Sequence, residues 1–393
     1  MTKPLCIGWN SNAPWAATGY GTQTAQVTSR MKTQGHDVAI FSNYGLEGSN
    51  TDWNGIQVYQ RGADLYSNDV VPAHMFDWHT RHPKQPHILF TLYDVWVFKG
   101  DKWNDWNVAS WTPVDHLPVP PEVLKWLSKP SVTPIAMSQY GQEMIESAGI
   151  ESLYVPHAIE SVFKPMKRHK GTTGREYIGI SEDKFVVGMN AANKGVSPNR
   201  KAFGENILAF SMFAQHHDDV VLYLHTDLIG ALGGIKLDQL LRSCGVPEHK
   251  YKFVDPYTYR TGIAQETLAT IYTAMDVLLA TSYGEGFGIP TIEAQACGTP
   301  VIISEFAAST ELLGDGWLIG GQPLWDAPQT SWFHMPSVPG IVDALEQAYN
   351  RGRGRSKIAQ DFAKAYQADT VFESYWKPTL EVLATKGIEE VKV

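Results

Sequence analysis

Residues 281–298, TSYGEGFGIPTIEAQACG, form the stretch that decides the fold. They follow an apolar, strand-like run at 277–280, VLLA, and lead into a helical pattern. Gly284, Gly286 and Gly288 lie between the two and let the backbone approach a ligand closely. Free N–H groups at the start of the following helix favour an anion such as a phosphate. The pattern predicts a strand, a binding loop and a helix of an α/β fold.

Two glutamates lie in this stretch, Glu285 in the loop and Glu293 in the helix that follows Pro290. A carboxylate in such a position accepts hydrogen bonds from paired hydroxyls, which sugars and riboses present. A glycine turn with two solvated glutamates is also typical of an ordinary tight turn before a helix. The whole phrase, rather than its glycines alone, therefore favours a binding site.

Short apolar runs alternate with helical patterns on both sides of this stretch, as in a parallel sheet covered by helices. In the first half, helical patterns at 22–34 and 139–148 alternate with strand-like runs at 5–9, 37–41, 88–92, 131–137 and 153–155. After a basic linker at 166–174, helical patterns at 201–216, 266–274 and 292–297 alternate with strand-like runs at 185–189, 220–225, 251–254, 277–280 and 301–304. We predict two Rossmann-like domains with ligands at the carboxyl ends of the strands.

The composition and charge of the chain exclude several classes of protein. The chain has 393 residues, of which 43% are hydrophobic, and its net charge is −9. These values argue against a disordered protein and against a general nucleic-acid binder. No run approaches the length of a membrane span, and the N-terminus does not resemble a signal peptide. The three cysteines are far apart, so we expect no disulfide framework, no zinc site and a cytoplasmic location.

A family resemblance rests on residues 270–320, which contain the phrase EGFGIPTIEAQACGTPV. This segment resembles the donor domain of retaining GT-B glycosyltransferases of the family 4 type. Two upstream features agree in order: PHAIE at 156–160 resembles the family's hinge phrase, and NRK at 199–201 resembles its basic pair. The resemblance is strong over about 180–320 and fades before residue 130.

The resemblance implies a GT-B fold, in which two facing Rossmann-like domains enclose an interdomain cleft. Residues 1–165 would form the acceptor domain and residues 166–370 the nucleotide-sugar donor domain. A C-terminal helix within 371–393 would return toward the N-terminal domain. Pro378 should kink or split the last helical stretch, which covers about 363–384.

The resemblance also assigns donor-binding residues. Glu293 would hold the ribose hydroxyls, and Glu285 would contact the transferred sugar and act as a catalytic residue. Arg200 and Lys201 would neutralise the diphosphate; the alternative is a solvated pair at a helix start, where cations oppose the helix dipole. Thr226, at the end of the run 220–225, would line the nucleotide pocket or cap the next helix. The backbone beside the sugar and phosphate would come from Gly286, Phe287 and Gly288.

The N-terminal half contributes two further candidates. Gly19, Tyr20 and Gly21 follow the first strand and match in place the family's glycine loop near the donor phosphate, although a simple strand–helix turn explains them equally. Asp94 follows the run 88–92 and is a catalytic candidate, because a His or Asp in this region of the family often lies by the reacting sugar. A capping role is the alternative for Asp94.

Acceptor binding is assigned to the first half, which contains nine of the 13 tryptophans. Trp103 and Trp106 lie among Lys, Asp and Asn, so we expect them on an exposed rim that stacks on the acceptor. The other tryptophans are expected in the core. Residues 1–165 carry 11 Lys or Arg and 15 Asp or Glu, a net charge of −4. This balance disfavours an anionic lipid surface and leaves nucleic acid possible only as an acceptor.

The sequence therefore predicts a retaining, metal-independent glycosyltransferase, most simply a hexosyltransferase. It would use a nucleotide-diphosphate sugar as co-substrate, with no cofactor, and its acceptor is open among glycans, small molecules, proteins and nucleobases. Two alternative functions are compatible with the same fold: a sugar-nucleotide epimerase, and a non-catalytic protein that binds nucleotide sugars. The phrase EGFGIPTIE argues against the first, and the intact Glu285, Glu293, Arg200 and Lys201 argue against the second.

Overall fold

The computed structural model of the chain describes residues 3–386, which form two compact units. The N-terminal unit contains residues 3–114, 118–158 and 368–386, and the C-terminal unit contains residues 115–117 and 159–367. The domain boundaries predicted from the sequence are at residues 165 and 370. Residues 387–393 of the expected last segment lie outside the described residues.

An eight-stranded sheet is the centre of the N-terminal unit. All its neighbouring strands are parallel except the edge strand Thr51–Trp53, which is antiparallel to its neighbour. In spatial order the strands are Thr51–Trp53, Ile56–Tyr59, Asp37–Tyr44, Cys6–Asn12, His87–Leu92, Val108–Thr112, Val132–Ala136 and Leu153–Tyr154. The α-helices of this unit are Gly19–Thr33, Val71–Arg81, Pro121–Leu127, Gln139–Ser147, Ala368–Val371 and Lys377–Lys386.

Local signals explain the first elements of this unit. Every residue of the central strand Cys6–Asn12 is buried, as expected for a parallel strand with both faces covered. The helix Gly19–Thr33 begins where the Thr18 hydroxyl accepts a hydrogen bond from the Gly21 N–H at 3.0 Å. It ends before Gly35, whose φ of +90° suits glycine.

The last helical stretch packs on this core through Trp376. The Trp376 ring contacts Trp9 at 5.9 Å and Trp111 at 4.9 Å between centroids, both edge to face. Trp376 ends a π-helical turn, Phe372–Trp376, and Pro378 is the second residue of the helix that follows. A proline lacks the N–H of a regular helix, so the irregular turn lies where the sequence predicts a break.

The expectation that Trp103 and Trp106 form an exposed rim is wrong. Trp103 is 1% exposed and Trp106 is 5% exposed. Trp103 packs against Phe98 and Trp126 at centroid distances of 4.8 and 5.5 Å, and its indole N–H donates to the Lys99 carbonyl. The polar neighbours in sequence lie on a short 3-10 turn that turns the indoles inward, so these rings belong to the core.

The C-terminal unit is built on a six-stranded sheet whose neighbours are all parallel. In spatial order its strands are Tyr251–Phe253, Val220–His225, Phe185–Asn190, Val277–Leu279, Val301–Ser304 and Gly316–Ile319. The helices are Gly174–Ile178, Phe203–Ala214, Leu237–Ser243, Pro256–Thr261, Gln265–Ala274, Ile289–Ala296, Val338–Arg351 and Lys357–Ala363. Two antiparallel hairpins complete the unit, Arg168–His169 with Thr172–Thr173 and Gly321–Asp326 with Ser331–Pro336.

Together the two units confirm the predicted α/β class with parallel sheets. Several elements were not predicted, above all the strand Val108–Thr112 and the hairpin of residues 321–336. The short sequence VASWT has no clear apolar run, and its five residues are buried because strands pair on both sides of it. Within residues 3–386, no helix has both the length and the apolar character needed to cross a bilayer.

Candidate functional site

The predicted binding loop, called here the glycine loop (residues 280–288), joins the strand Val277–Leu279 to the helix Ile289–Ala296. Gly284 packs against the backbone of Asp115, where an added Cβ would lie 2.1 Å from the carbonyl oxygen. Gly288 has a φ of +119°, which L side chains rarely adopt. The phrase therefore needs glycine at these positions because of a close approach and a backbone conformation.

Glu285 is the charged centre of the glycine loop. Lys201 Nζ donates to its two carboxylate oxygens at 2.6 and 2.9 Å. Arg200 Nη1 donates to Glu285 Oε2 at 3.2 Å and also to the Gly284 carbonyl. The structure thus brings Glu285 into contact with Arg200 and Lys201, which lie 85 and 84 positions before it in sequence and which the family resemblance placed in the same site.

The charges of this group keep Glu285 ionised. Burial by itself raises the pKa of Glu285, but the Lys201 and Arg200 charges and the Lys201 hydrogen bond hold it below its ordinary value. Arg200 and Lys201 therefore both donate to this one carboxylate. A ligand phosphate bound there would share donors with Glu285, since arginine and lysine together carry more N–H groups than one carboxylate occupies.

A second charged group, which the sequence analysis missed, adjoins the first. Asp115 Oδ2 lies 3.5 Å from Arg200 Nη1, and Asp115 Oδ1 lies 2.7 Å from His116 Nδ1. The other ring nitrogen of His116, Nε2, lies 3.1 Å from Asp326 Oδ2. Burial by itself lowers the pKa of His116, but Asp115 and Asp326 together raise it above its ordinary value. His116 therefore favours the imidazolium form, which donates to both carboxylates.

The hairpin Gly321–Pro336 is fixed to this charged region by its inner face. Its Phe333 ring stacks on His116 at 3.7 Å between centroids and is buried with Ala202 and Tyr283. The His334 N–H donates to the Tyr283 carbonyl at 2.9 Å. Since Tyr283 precedes Gly284, the hairpin is attached directly to the glycine loop.

Glu293 lies in a different environment from Glu285. It is 7% exposed, and its Oε2 accepts a hydrogen bond of 2.8 Å from the Tyr272 hydroxyl, which in turn accepts one of 2.6 Å from Asn190 Nδ2. Burial raises the pKa of Glu293 to about 7, and the Tyr272 hydrogen bond opposes this only in part. A carboxylate accepts up to about four hydrogen bonds. The single hydrogen bond from Tyr272 leaves room for further hydroxyl donors.

Thr226 and its neighbours lie at the carboxyl end of the strand Val220–His225. Thr226 is 2% exposed, and burial lowers the pKa of His225 to about 4. The carboxylate of Asp227 accepts hydrogen bonds from the backbone N–H groups of Ile229 and Ala231. This carboxylate therefore organises the loop after the strand, and Thr226 lies at the edge where ligands of parallel sheets bind.

Three backbone positions of the glycine loop, Gly286, Phe287 and Gly288, are candidates for contact with the sugar and phosphate. Phe287 is 3% exposed and its ring packs 5.7 Å from Tyr366, so the side chain faces the protein. Gly286 is buried and Gly288 is half-buried. Only the backbone of these three residues is available for a ligand.

In the N-terminal unit, the loop of Gly19, Tyr20 and Gly21 opens the first helix. An added Cβ on Gly21 would lie 2.3 Å from the Ala16 carbonyl oxygen, so the tight turn requires glycine there. The Tyr20 ring packs edge to face on Tyr93 at 5.8 Å. The structure thus joins this loop to the residue that precedes Asp94.

Asp94 is exposed and precedes the short 3-10 helix Val95–Val97, without a capping hydrogen bond from its side chain. It belongs to the N-terminal unit, whereas Glu285 and Asp115 belong to the C-terminal unit. The carboxylate that the structure places directly on the Arg200–Glu285 pair is Asp115. A weak sequence signal existed for it: Asp115 and His116 follow a strand, as Asp94 does, but that strand was not predicted.

Comparison with known protein families agrees with this geometry. Residues 195–329 match the family described as glycosyl transferases group 1. The matched range contains Arg200, Lys201, Glu285 and Glu293. Over this range the chain resembles the group 1 glycosyltransferases. The family predicted from residues 270–320 is thereby confirmed.

Relatives with curated names support the same family. A D-inositol 3-phosphate glycosyltransferase of Paenarthrobacter aurescens is 27% identical over 230 residues, which are 54% of this chain and 48% of that protein. Its counterpart in Mycobacteroides abscessus is 32% identical over 128 residues, 31% of this chain and 26% of that protein. The chain thus spans about half or less of the length of these relatives.

Solved structures confirm the predicted fold. Sucrose-phosphate synthase from Thermosynechococcus elongatus aligns with a TM-score of 0.73 at 15% identity, over 96% of this chain and 99% of that one. The Anabaena protein HepE, solved in complex with UDP and glucose, aligns with a TM-score of 0.62 at 16% identity, over 96% of this chain and 99% of that one. The likeness shows that the chain has the GT-B fold, with two Rossmann-like domains.

Proposed function

We propose that this group 1 glycosyltransferase moves a sugar, most simply a hexose, from a nucleotide-diphosphate sugar to an acceptor hydroxyl or amine with retention of configuration. The observation that carries the proposal is the cluster of Glu285, Arg200 and Lys201 on the glycine loop, with Glu293 buried on the helix that follows. A transferase of this kind needs a hydroxyl-binding carboxylate beside cations for a diphosphate, and the C-terminal unit supplies both.

Each part of the donor has a proposed partner. Glu293 accepts from the ribose hydroxyls, because it is buried and has one hydrogen bond from protein. Glu285 accepts from hydroxyls of the transferred sugar, and the backbone of the glycine loop lies beside the sugar and phosphates. Arg200 and Lys201 stabilise the charge that grows on the leaving diphosphate. Thr226 lines the nucleotide end, and Gly19, Tyr20 and Gly21 of the N-terminal unit approach the phosphate.

The reaction proposed for this site needs no protein nucleophile. The acceptor oxygen or nitrogen forms a bond to the anomeric carbon while the bond from that carbon to the phosphate oxygen breaks. The acceptor proton passes to the departing diphosphate on the same face. Because Arg200 and Lys201 supply positive charge at the leaving group, we propose that transfer is independent of a divalent metal. Asp94 stays a candidate for contact with the reacting sugar.

Release of nucleoside diphosphate tests the proposal. The pure protein is incubated with UDP-, GDP-, ADP- and TDP-sugars, with and without EDTA, and free diphosphate is recorded. We expect slow release from one donor, undiminished by EDTA, and its loss in Glu285→Gln. The matched control is Glu305→Gln, an exposed carboxylate of the same unit. Loss of release in EDTA would contradict metal independence.

The same assay separates the rival functions. An epimerase of this fold would convert the sugar of its nucleotide without releasing diphosphate. A non-catalytic binding protein would retain nucleotide sugar with no release in the presence of any acceptor. Calorimetric binding of one nucleotide, followed by acceptor-dependent release, would support the transferase.

A further inference from the structure

The hairpin Gly321–Pro336 carries an exposed pair of tryptophans that the sequence analysis did not single out. Trp325 and Trp332 are direct partners across the two strands, so their side chains lie on the same face. Trp325 is 47% exposed and Trp332 is 42% exposed. Their rings are 4.9 Å apart between centroids and inclined at 66°. Two indoles are thus held in contact on the outside of the protein.

The hairpin that carries the pair is fixed to the proposed donor site by its other face. The opposite face of the hairpin is buried through Phe333, and Asp326, which follows Trp325, lies 3.1 Å from His116. Next to the pair, the backbone of Leu117 forms two hydrogen bonds with Trp332, of 3.0 and 3.1 Å. A hairpin fixed at several points to the glycine loop and to residues 115–117 presents its aromatic face in one orientation.

The exposed surface is too small for a stable protein partner. The exposed parts of two tryptophans and of Leu117, which is 47% exposed, amount to roughly 300 Å² if each indole contributes about half of its surface. A stable protein interface needs about 800 Å² from each partner. The patch therefore matches one or two small rings that stack on an indole.

The stretch of sequence that contains the hairpin is acidic, which favours a neutral ring over a nucleic acid. Residues 261–350 contain no Lys or Arg, whereas they contain ten Asp or Glu. A nucleic acid needs cations for its phosphates, and these supply most of its affinity. A sugar needs an aromatic face on which its ring can stack, and the indoles provide one.

We propose that Trp325 and Trp332 form a carbohydrate subsite that holds a neutral sugar of the acceptor. This inference rests on the proposed transferase function and names its acceptor class, a glycan or glycoside. It assigns acceptor binding to the hairpin of the C-terminal unit, in place of Trp103 and Trp106, which are buried. The first strand of the hairpin lies inside the residues matched by the family, 195–329, and the second lies beyond them.

Saturation-transfer NMR tests the subsite on the full chain. The probes are methyl glucoside, methyl galactoside, maltose and cellobiose, with a short oligothymidylate as the charged alternative. We expect saturation transfer from the protein to at least one sugar, and a rise of about tenfold or more in the Kd of that sugar in Trp325→Ala and in Trp332→Ala. Tyr257→Ala, at a 77% exposed aromatic position of the same unit, is the matched control.

A second measurement distinguishes this proposal from the proposed function. UDP affinity and acceptor-free diphosphate release should be unchanged in Trp325→Ala, since the pair does not touch the donor residues in this proposal. If the wild type did not bind UDP, the proposed donor site would be contradicted, but the measured sugar binding would still support the carbohydrate subsite. The carbohydrate subsite would be overturned if no sugar received saturation from the protein, or if saturation transfer were undiminished in the double variant. Binding of oligothymidylate that depends on the two tryptophans would also overturn it. Trp332→Phe, which keeps an aromatic face, serves where Trp332→Ala fails to fold.

Discussion

The Tyr272 hydroxyl donates a 2.8 Å hydrogen bond to Glu293 Oε2, inside the C-terminal unit. Burial raises the pKa of this carboxyl to about 7. Glu285 is buried too, but the charges of Lys201 and Arg200 hold its pKa below the ordinary value. The two glutamates of one phrase therefore carry different charge near neutral pH. A carboxyl that titrates near pH 7 makes folding sensitive to pH in the physiological range, and the same holds for the hydroxyl binding that we propose for Glu293.

Replacing Glu293 with glutamine should change how stability depends on pH. In the folded wild type the carboxyl keeps its proton up to about pH 7, whereas its unperturbed value is 4.5. The folded state therefore binds more protons between these values, and wild-type stability falls as pH rises from 4.5 to 7. Glutamine does not titrate, so the stability of Glu293→Gln relative to wild type should rise across this window by up to about 3 kcal/mol.

Urea unfolding at pH 5 and at pH 8 measures this difference. Glu305→Gln, at an exposed position of the same unit, is the control and should give the same small difference at both pH values. If the difference in unfolding free energy between Glu293→Gln and wild type were the same at pH 5 and pH 8, Glu293 would be ionised throughout this range. Burial would then not raise its pKa.

Arg200→Ala should weaken binding of a nucleoside diphosphate and leave the nucleoside unaffected. Arg200 donates to Glu285 and lies 3.5 Å from Asp115, and in the proposed donor site it contacts phosphate rather than base or ribose. We expect the Kd for UDP to rise about tenfold to a hundredfold, as for the loss of a charge-assisted hydrogen bond, with uridine unchanged. Calorimetry with UDP and uridine measures both, and Lys252→Ala, at an exposed position, is the control. An equal loss for uridine would contradict a diphosphate role.

Much of the fold could be predicted because local patterns and tertiary packing agree. The strands Val220–His225 and Val301–Ser304 have the predicted bounds, since buried parallel strands read as continuous apolar runs. The strand Val108–Thr112 was missed because its apolar residues are interrupted by Ser110 and because pairing with both neighbours, rather than composition, makes it a strand.

The candidate site could be predicted only where a specific phrase in the sequence marks it. Glu285 and Glu293 lie in such a phrase, and Arg200 and Lys201 were found through the family resemblance. Asp115 and His116 carry no local pattern, and their importance comes from contacts with residues 85 to 210 positions away. Tryptophans among polar residues were expected outside, but a 3-10 turn buries Trp103, whereas the exposed pair lies on an unpredicted hairpin.

Asp326→Asn should destabilise the protein more at pH 6 than at pH 9. Both ring nitrogens of His116 face a carboxylate, and only the imidazolium donates to both. Because Asp115 and Asp326 raise the pKa of His116, the stability from this arrangement is present below the unfolded value of 6.5 and is lost as pH rises through the folded value. We expect a loss of about 1–3 kcal/mol at pH 6 and a smaller loss at pH 9.

Thermal and urea unfolding of Asp326→Asn at the two pH values test this arrangement. Asp343→Asn, in the helix Val338–Arg351, is the matched control in the same unit. A loss that is equal at both pH values would mean that His116 stays neutral and that Asp326 acts only through packing of the hairpin.

Gly284→Ala and Gly204→Ala form a pair that separates close packing from backbone entropy. A Cβ on Gly284 would lie 2.1 Å from the Asp115 carbonyl and 3.0 Å from the Phe333 ring, so either the glycine loop or residues 115–117 must move. A Cβ on Gly204, in the helix Phe203–Ala214, meets nothing within 4 Å. We expect Gly204→Ala to add about 0.5–1 kcal/mol of stability and Gly284→Ala to remove about 1–3 kcal/mol.

A shift of the glycine loop in Gly284→Ala should also reduce activity, because Glu285 follows Gly284 directly. We expect diphosphate release and UDP affinity to fall in Gly284→Ala and to stay at wild-type values in Gly204→Ala. Measuring both variants at a temperature well below their unfolding midpoints separates a misplaced Glu285 from a smaller folded fraction. If folded Gly284→Ala released diphosphate at the wild-type rate, the contact between the glycine loop and Asp115 would not position the proposed catalytic carboxylate.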